Sequence, residues 1–441
     1  MREDCVPDCS TSVSIVVPRM SQEQGDRLTQ RITLPRRLRR WLWHILARLF
    51  MWPPTIALAL ARVLGRRCRS FPSNGCEILL TGRFDSDNWI LNHLGPLASS
   101  RQCSQIWMVS TNPVPALPKV TGIYPPRWLM TVVGQTHARL LVFLWTALRK
   151  RPHIVGGFHI MVNGMAAVIV GELTGARSMY FCVGGPAEVR DGGIHSVESL
   201  FAKMETPDPV VERRLLRIVA DTDLVVTMGT RAAAYFRQKG IEADLRVVPG
   251  GIDANRFQPA RESPSFDLIL TGRLVAVKRI DILLRAVKSV SKRIPEVKAV
   301  IVGDGALREE LHSLALELGI DRNVTLVGHR EDVENWLQRS KLFVLTSDSE
   351  GLSLSVMEAM MCGLPAVVSD VGDLADLVEN GVSGYLVPRR SPELFADRLV
   401  ELLSDDRKRR AFSQAARRSA MRYDMQTAIQ RWDHILAGLG K

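Results

Sequence analysis

Two glutamates eight residues apart, Glu350 and Glu358, bracket the passage EGLSLSVMEAMMCGLP, in which an apolar run gives way to a helical pattern. Carboxylates accept hydrogen bonds from hydroxyls, so a pair flanking a helix start can grip one set of sugar or ribose hydroxyls on each side. Leu342 to Thr346 (LFVLT) reads as a buried strand and Asp348 to Gly351 as the turn after it. The helix then begins near Leu354, with Val356, Met357, Met360 and Met361 on its apolar face. Glu350 is thereby predicted on the loop and Glu358 on the helix. Unpaired N–H groups and the positive dipole end around Ser353, Leu354 and Ser355 suit a phosphate or sugar oxygens. Taken alone, two solvated acids near a helix start would explain the spacing equally well.

Upstream, TGRLVAVKR supplies Arg273 and Lys278 after another strand pattern. A guanidinium that binds two oxygens, joined by an ammonium point charge, can neutralise a diphosphate as it leaves a sugar. That task otherwise falls to a metal ion, and the sequence offers no cluster of metal ligands. From Phe266 to Pro388 these elements resemble the nucleotide-binding domain of family 4 glycosyltransferases, retaining enzymes of the two-domain GT-B fold. The Glu-x7-Glu element is followed by Gly363, Leu364 and Pro365, as in that family.

The resemblance implies roles. Arg273 and Lys278 would hold the donor diphosphate, Glu350 would orient the sugar and Glu358 would hold the ribose. Arg330, in VGHRED, would line the nucleobase pocket, with Ser353 and Leu354 also on the donor. His159, in GGFHIMVNG after a predicted strand, matches a family histidine that faces the donor sugar. Transfer would follow a front-face route in which the departing diphosphate takes the acceptor's proton, with no cofactor and no metal. Four stretches depart from the family pattern. TGRFDSDNW carries only Gly82 where paired glycines are usual, Gly250 replaces an Asn, and Arg279 replaces a Gly, which adds positive charge near the donor site. VGDLADLVENG puts Asp373, Ala375 and Asp376 where glycines and a Pro-Glu are common. The loop CVGGPAEVRDGG offers Gly184 and Gly185 for a close backbone approach to a ligand.

At 441 residues the chain suffices for two or three domains. Strand patterns at Leu268–Thr271, Ala299–Val302, Val324–Val327, Leu342–Thr346, Ala366–Ser369 and Gly384–Val387 alternate with helical ones, predicting a doubly wound α/β domain. Ile78–Thr81, Ile106–Ser110, His153–Gly157, Met179–Val183, Leu224–Met228 and Leu245–Pro249 predict a second. The expected organisation is a disordered start over residues 1–30, basic amphipathic helices over 31–75, and an N-terminal Rossmann-like acceptor domain over 76–258. A donor domain follows over 259–419, and a helix over 420–441 crosses back. The site is expected in the cleft, at the C-terminal ends of both sheets.

Charge is concentrated. Arg27 to Cys76 holds eleven arginines and no acidic residue, in a chain of formal net charge +12. Leucines and Trp41, Trp43 and Trp52 between the arginines favour an anionic lipid surface over nucleic acid. Leu49 to Ala61 is too short to span a bilayer and contains Pro53 and Pro54, and extension to Trp41 would bury Arg48 at roughly 2.5–3.5 kcal/mol. Helices lying on the cytoplasmic face of the membrane are therefore expected, with a pair of short helices packed on the first domain as the alternative, without a signal peptide and with Met20 as an alternative start. Trp128 to Leu148 reads as one more apolar helix, interrupted by His137 and Arg139 and expected mainly buried, with addition to the membrane face as the alternative. Seven scattered cysteines without a CxxC pair fit a reducing compartment. The expected partners are a nucleotide-sugar donor and a lipid-linked or other glycan acceptor. A nucleotide-sugar epimerase and a non-catalytic membrane scaffold are the rival readings.

Overall fold

The computed structural model describes residues 36–65, 75–82, 84, 86–195, 200–260 and 263–439. The expected disordered start and the loop residues Arg83 and Asp85 lie outside the described residues. Seven short aliphatic runs form one parallel sheet: β1 (Cys76–Thr81), β2 (Cys103–Val109), β3 (Val120–Ile123), β4 (Ile154–Phe158), β5 (Arg177–Cys182), β6 (Leu224–Thr227) and β7 (Asp244–Val247), in the order β3-β2-β1-β4-β5-β6-β7. The helices of this half are α1 (Arg36–Phe50), α2 (Trp52–Leu64), α3 (Asp87–Ser99), α4 (Arg127–Val133), α5 (Gln135–Lys150), α6 (Met165–Thr174), α7 (Pro209–Ala220) and α8 (Thr230–Gln238). The central strands are covered on both faces, which is why they read as near-continuous apolar runs. Ile78, Leu80, Ile154 and Phe181 pack with α3 on one face, whereas Leu79, Val155 and Tyr180 meet α1, α2, α5 and α6 on the other.

The second sheet holds β8 (Phe266–Thr271), β9 (Ala299–Val302), β10 (Val324–Gly328), β11 (Ser340–Leu345), β12 (Ala366–Ser369) and β13 (Gly384–Val387), parallel in the order β10-β9-β8-β11-β12-β13. Its helices are α9 (Ile280–Ser291), α10 (Arg308–Glu317), α11 (Val333–Gln338), α12 (Leu354–Met361), α13 (Leu374–Leu377), α14 (Pro392–Ser404) and α15 (Asp406–Ala420). The last helix, α16 (Met425–Leu439), packs on α3 of the first half, and Asp433 accepts hydrogen bonds there from the Ser100 hydroxyl at 2.6 Å and the Arg101 N–H at 2.7 Å. This two-sheet arrangement is the GT-B fold that the resemblance implied.

Three elements differ from the sequence reading. The edge strand β3 was not anticipated. The single helix expected over Trp128 to Leu148 is two, because Gly134 takes a φ of 81° that no helix can continue. Nor is it mainly buried, since α4 has no buried residue and α5 buries one side only. Finally, α1 and α2 are docked on the N-terminal domain. Ala47, Met51, Leu58 and Ala61 are buried, and Asp208, itself inaccessible, bonds His44 at 2.7 Å and Arg48 at 2.9 Å. Pro53 and Pro54 fall in the first turn of α2, where no N–H is needed. By length and composition alone Arg37–Leu64 is long and apolar enough to cross a membrane, but its inner side is committed to the domain.

Candidate active site

The donor-side groups stand at the C-terminal ends of β8 and β11. After β8, Arg273 is exposed, and its side chain makes no hydrogen bond or ion pair among the described residues. A short turn, Ala276–Lys278, then points the Lys278 ammonium at Glu350, 2.7 Å from its carboxylate. The Ser347 hydroxyl donates to the same oxygen at 2.5 Å. The two loops are tied together: the Thr346 hydroxyl donates to the Arg279 carbonyl at 2.8 Å and the Asp348 N–H to the Val277 carbonyl at 2.8 Å. Arg279 does not add free positive charge, contrary to the sequence expectation, because its guanidinium is taken up by Asp281 at 2.7 Å and Asp348 at 3.4 Å. Its φ of 47° is left-handed, which explains in physical terms why glycine suits this position.

Glu358 lies one turn into α12 and is only 4% exposed. Burial pushes its carboxyl up to about 7, against the opposing effect of a hydrogen bond from Asn88. That bond, 2.6 Å from the Asn88 amide to Glu358, comes from α3 of the other domain, so the group expected to hold a ribose is occupied by a protein amide. Ser353 precedes the first turn of α12, its hydroxyl 3.0 Å from that of Ser355, and Leu354 is half-buried beside Gly250. A Cβ on Gly250 would lie 2.9 Å from the His93 ring and 3.0 Å from Leu354, which accounts for its replacing a larger residue. Arg330 is exposed and lies over the Trp336 ring at 5.9 Å; no contact joins it to Glu350 or Glu358.

From the N-terminal domain, His159 ends β4 with a φ of 62°, and a π-turn over Ile160–Gly164 follows it. Its ring lies 2.9 Å from Glu188, a residue the sequence reading passed over. Glu188 is the hub of this side: besides His159 it accepts the Gly184 N–H at 2.5 Å, the Ile160 N–H at 2.8 Å and the Tyr180 hydroxyl at 2.7 Å. Burial raises the Glu188 carboxyl, but the His159 charge and these bonds outweigh it and hold it below the usual range. The one available signal was an acid within the glycine-rich loop that leaves β5.

The two sides touch. A Cβ on Gly351 would fall 2.2 Å from the Val183 carbonyl oxygen, so the residue after Glu350 must be glycine for the 183–185 loop to rest on it. Gly185, with a φ of 67°, faces Asp373. Thus Gly184 and Gly185 serve an approach between domains. The departing stretch around Asp373 has its own purpose: Asp373 accepts the Arg231 N–H at 2.7 Å, and Asp376 the Thr230 N–H at 2.5 Å and its hydroxyl at 2.6 Å. Two acids of one domain thereby cap α8 of the other. Lys278 and Glu350 thus sit next to the 183–185 loop, whose Gly184 is held by the same Glu188 that holds His159, and Glu358 meets the N-terminal domain through Asn88, while among the described residues no contact joins Arg273 or Arg330 to these groups.

Two facing Rossmann-like domains with this cleft define a GT-B protein. Residues 251–419 match the family described as glycosyl transferases group 1. Among curated proteins, the chain is 30% identical over 254 residues to a GDP-mannose-dependent alpha-(1-6)-phosphatidylinositol monomannoside mannosyltransferase of Mycobacterium tuberculosis, covering 52% of this chain and 64% of the relative. It is 31% identical over 176 residues to a UDP-Gal:alpha-D-GlcNAc-diphosphoundecaprenol alpha-1,3-galactosyltransferase of Escherichia coli, covering 36% and 46%. The match thus spans less than two thirds of either relative. Of solved structures, Anabaena HepE with UDP and glucose superposes with a TM-score of 0.65 at 19% identity, over 82% of this chain and 100% of the other. A sucrose-phosphate synthase from Thermosynechococcus elongatus gives 0.68 at 18% identity, over 82% and 99%.

Proposed function

We propose that the protein is a metal-independent, retaining glycosyltransferase that moves a hexose-type sugar from a nucleoside diphosphate to a lipid-linked or cell-surface glycan acceptor at the cytoplasmic face of the membrane. The observation that carries this reading is the Lys278–Glu350 pair at 2.7 Å, facing the His159–Glu188 pair across Gly351. A diphosphate entering beside Arg273 would draw Lys278 away from Glu350. The freed carboxylate would then orient sugar hydroxyls while the two cations take up the leaving group's charge. Glu358 would exchange Asn88 for the ribose, and the Ser353 to Ser355 amides would hold phosphate or sugar oxygens. Arg330 would line the base pocket after moving from Trp336. His159, fixed by Glu188, would meet the sugar from the acceptor side, and the leaving phosphate would take the acceptor's proton.

Two relatives support the acceptor class, since their names specify a phosphatidylinositol monomannoside and a diphosphoundecaprenol. The outward sides of α1 and α2, with Trp41, Leu49, Ile56 and Leu60 exposed among arginines, suit an anionic surface. The test is thermal shift with a panel of UDP-, GDP- and ADP-sugars, using Glu358→Ala and Arg273→Ala as controls. Selective stabilisation lost in both variants is expected. Folded protein that responds to none of the donors would overturn the transferase reading in favour of a scaffold.

A further inference from the structure

The helix layer over one face of the N-terminal sheet has an outer side that no described residue covers. In α4, Trp128 and Val132 stand 67% and 75% exposed. Helix α5 buries Ala138, Phe143 and Ala147 and turns Leu141, Trp145 and Leu148 outward, a stripe at helical spacing. Across α6, α2 turns out Ile56, Leu60 and Val63 with the same spacing. Both α5 and α2 pack against α6, so the two stripes belong to one side of the molecule. An apolar surface of this extent marks an interaction site.

Charge selects the occupant. No Asp or Glu occurs between Asp87 and Glu172. Arg127 at the start of α4 and Arg149, Lys150 and Arg151 at the end of α5 are all exposed, and Arg149 lies over the Trp145 ring at 5.6 Å. Tryptophans and aliphatics between cationic ends match the interface of a bilayer that carries negative headgroups. Position adds a third observation. Helix α4 leaves the C-terminal end of β3, the same end of the parallel sheet from which His159 and Gly184 project.

We infer that α4 and α5 form a second membrane-contacting element, separate in sequence from α1 and α2, that sets the mouth of the cleft against an anionic phospholipid surface. The membrane contact stands by itself. Its use, to let the acyl or prenyl chain of an acceptor pass Trp128 and Val132 toward His159, rests on the transferase reading.

Co-sedimentation of the full chain with phosphatidylcholine vesicles, with and without 30% (about one lipid in three) phosphatidylglycerol, tests it. The paired variants Trp128→Ser with Val132→Ser, and Leu141→Ser with Trp145→Ser, touch no buried residue. Each is expected to lower partitioning onto the anionic vesicles at least about tenfold, with circular dichroism and melting temperature unchanged. Partitioning equal to that of the parent would overturn the inference. So would a lipid-free dimer that the variants dissociate, because the face would then belong to a second copy. Donor-induced thermal shift on the same samples separates the two readings. Its loss in the parent would remove the transferase while leaving the vesicle result to stand or fall by itself.

Discussion

Glu188 is the residue whose change says most about the cleft. It holds His159 and three neighbouring donors with one buried carboxylate, so Glu188→Gln keeps the shape and removes the charge. Turnover is expected to fall roughly 10- to 100-fold with donor affinity unchanged, since the ring keeps its place and loses its charged partner. Donor affinity and turnover measured on one preparation check this. Glu358 gives a pH signature. Its carboxyl is raised to about 7, so the donor-free form binds a proton that an exposed glutamate would release. The hold of that form is complete below the ordinary glutamate range and lost as pH rises through about 7. Donor binding that displaces Asn88 and uses the ionised carboxylate should tighten from about pH 5 to 7 and level off above. Glu358→Gln should make titration calorimetry flat over that range. Arg273 with Lys278, and Glu350 with Glu358, could be singled out because each pair stands on one strand-turn-helix stretch, where type and spacing are local. Glu188 and Asn88 were not, because their partners lie 29 and 270 residues away and meet them only through the fold.

Between elements, the caps on α8 tie the two domains together. Asp373 is raised to about 6, by burial first, so its contribution is complete below the ordinary aspartate range and fades as pH rises through about 6. Asp373→Asn with Asp376→Asn should cost about 1 kcal/mol per cap, with faster hydrogen exchange at the Thr230 and Arg231 amides and a larger radius of gyration in solution scattering. Gly351→Ala tests the opposing loop. A methyl 2.2 Å from the Val183 carbonyl must push the domains apart, so the same scattering measurement should show opening while each domain keeps its secondary structure. Most strands of both sheets could be read from aliphatic runs between turn residues. The strand β3 escaped because it has four residues, contains Gly122 and sits at an edge where neither pattern nor burial is strong. The break at Gly134 was hidden by apolar residues on both sides, since periodicity reports a helical face and says little about a single left-handed residue.

At the scale of the whole molecule, α1 and α2 form part of the N-terminal core as well as its surface. Asp208 is inaccessible, and burial raises its carboxyl while His44, the Val211 N–H and Arg48 pull it below the usual range. His44→Ala with Arg48→Ala leaves that carboxylate buried without its two side-chain partners, a loss on the order of 3 kcal/mol. Thermal melting at neutral pH should show it, and the gap from the parent should narrow as the pH falls and Asp208 protonates. The sequence indicated a basic amphipathic segment, but the fold had to supply Asp208 and Met204, Phe201 and Val211, whose contacts turn an outlying arm into a docked one.

Helix α16 reaches back to α3, and its Trp432 and Leu436 lie in the cluster that contains Ile78 and Phe181. During synthesis the N-terminal sheet therefore emerges first but cannot complete its core until Leu439 has left the ribosome. The C-terminal sheet is drawn from one continuous stretch, so removal of α16 is expected to loosen the N-terminal domain more than the C-terminal one, which hydrogen exchange on a chain truncated after Tyr423 would show.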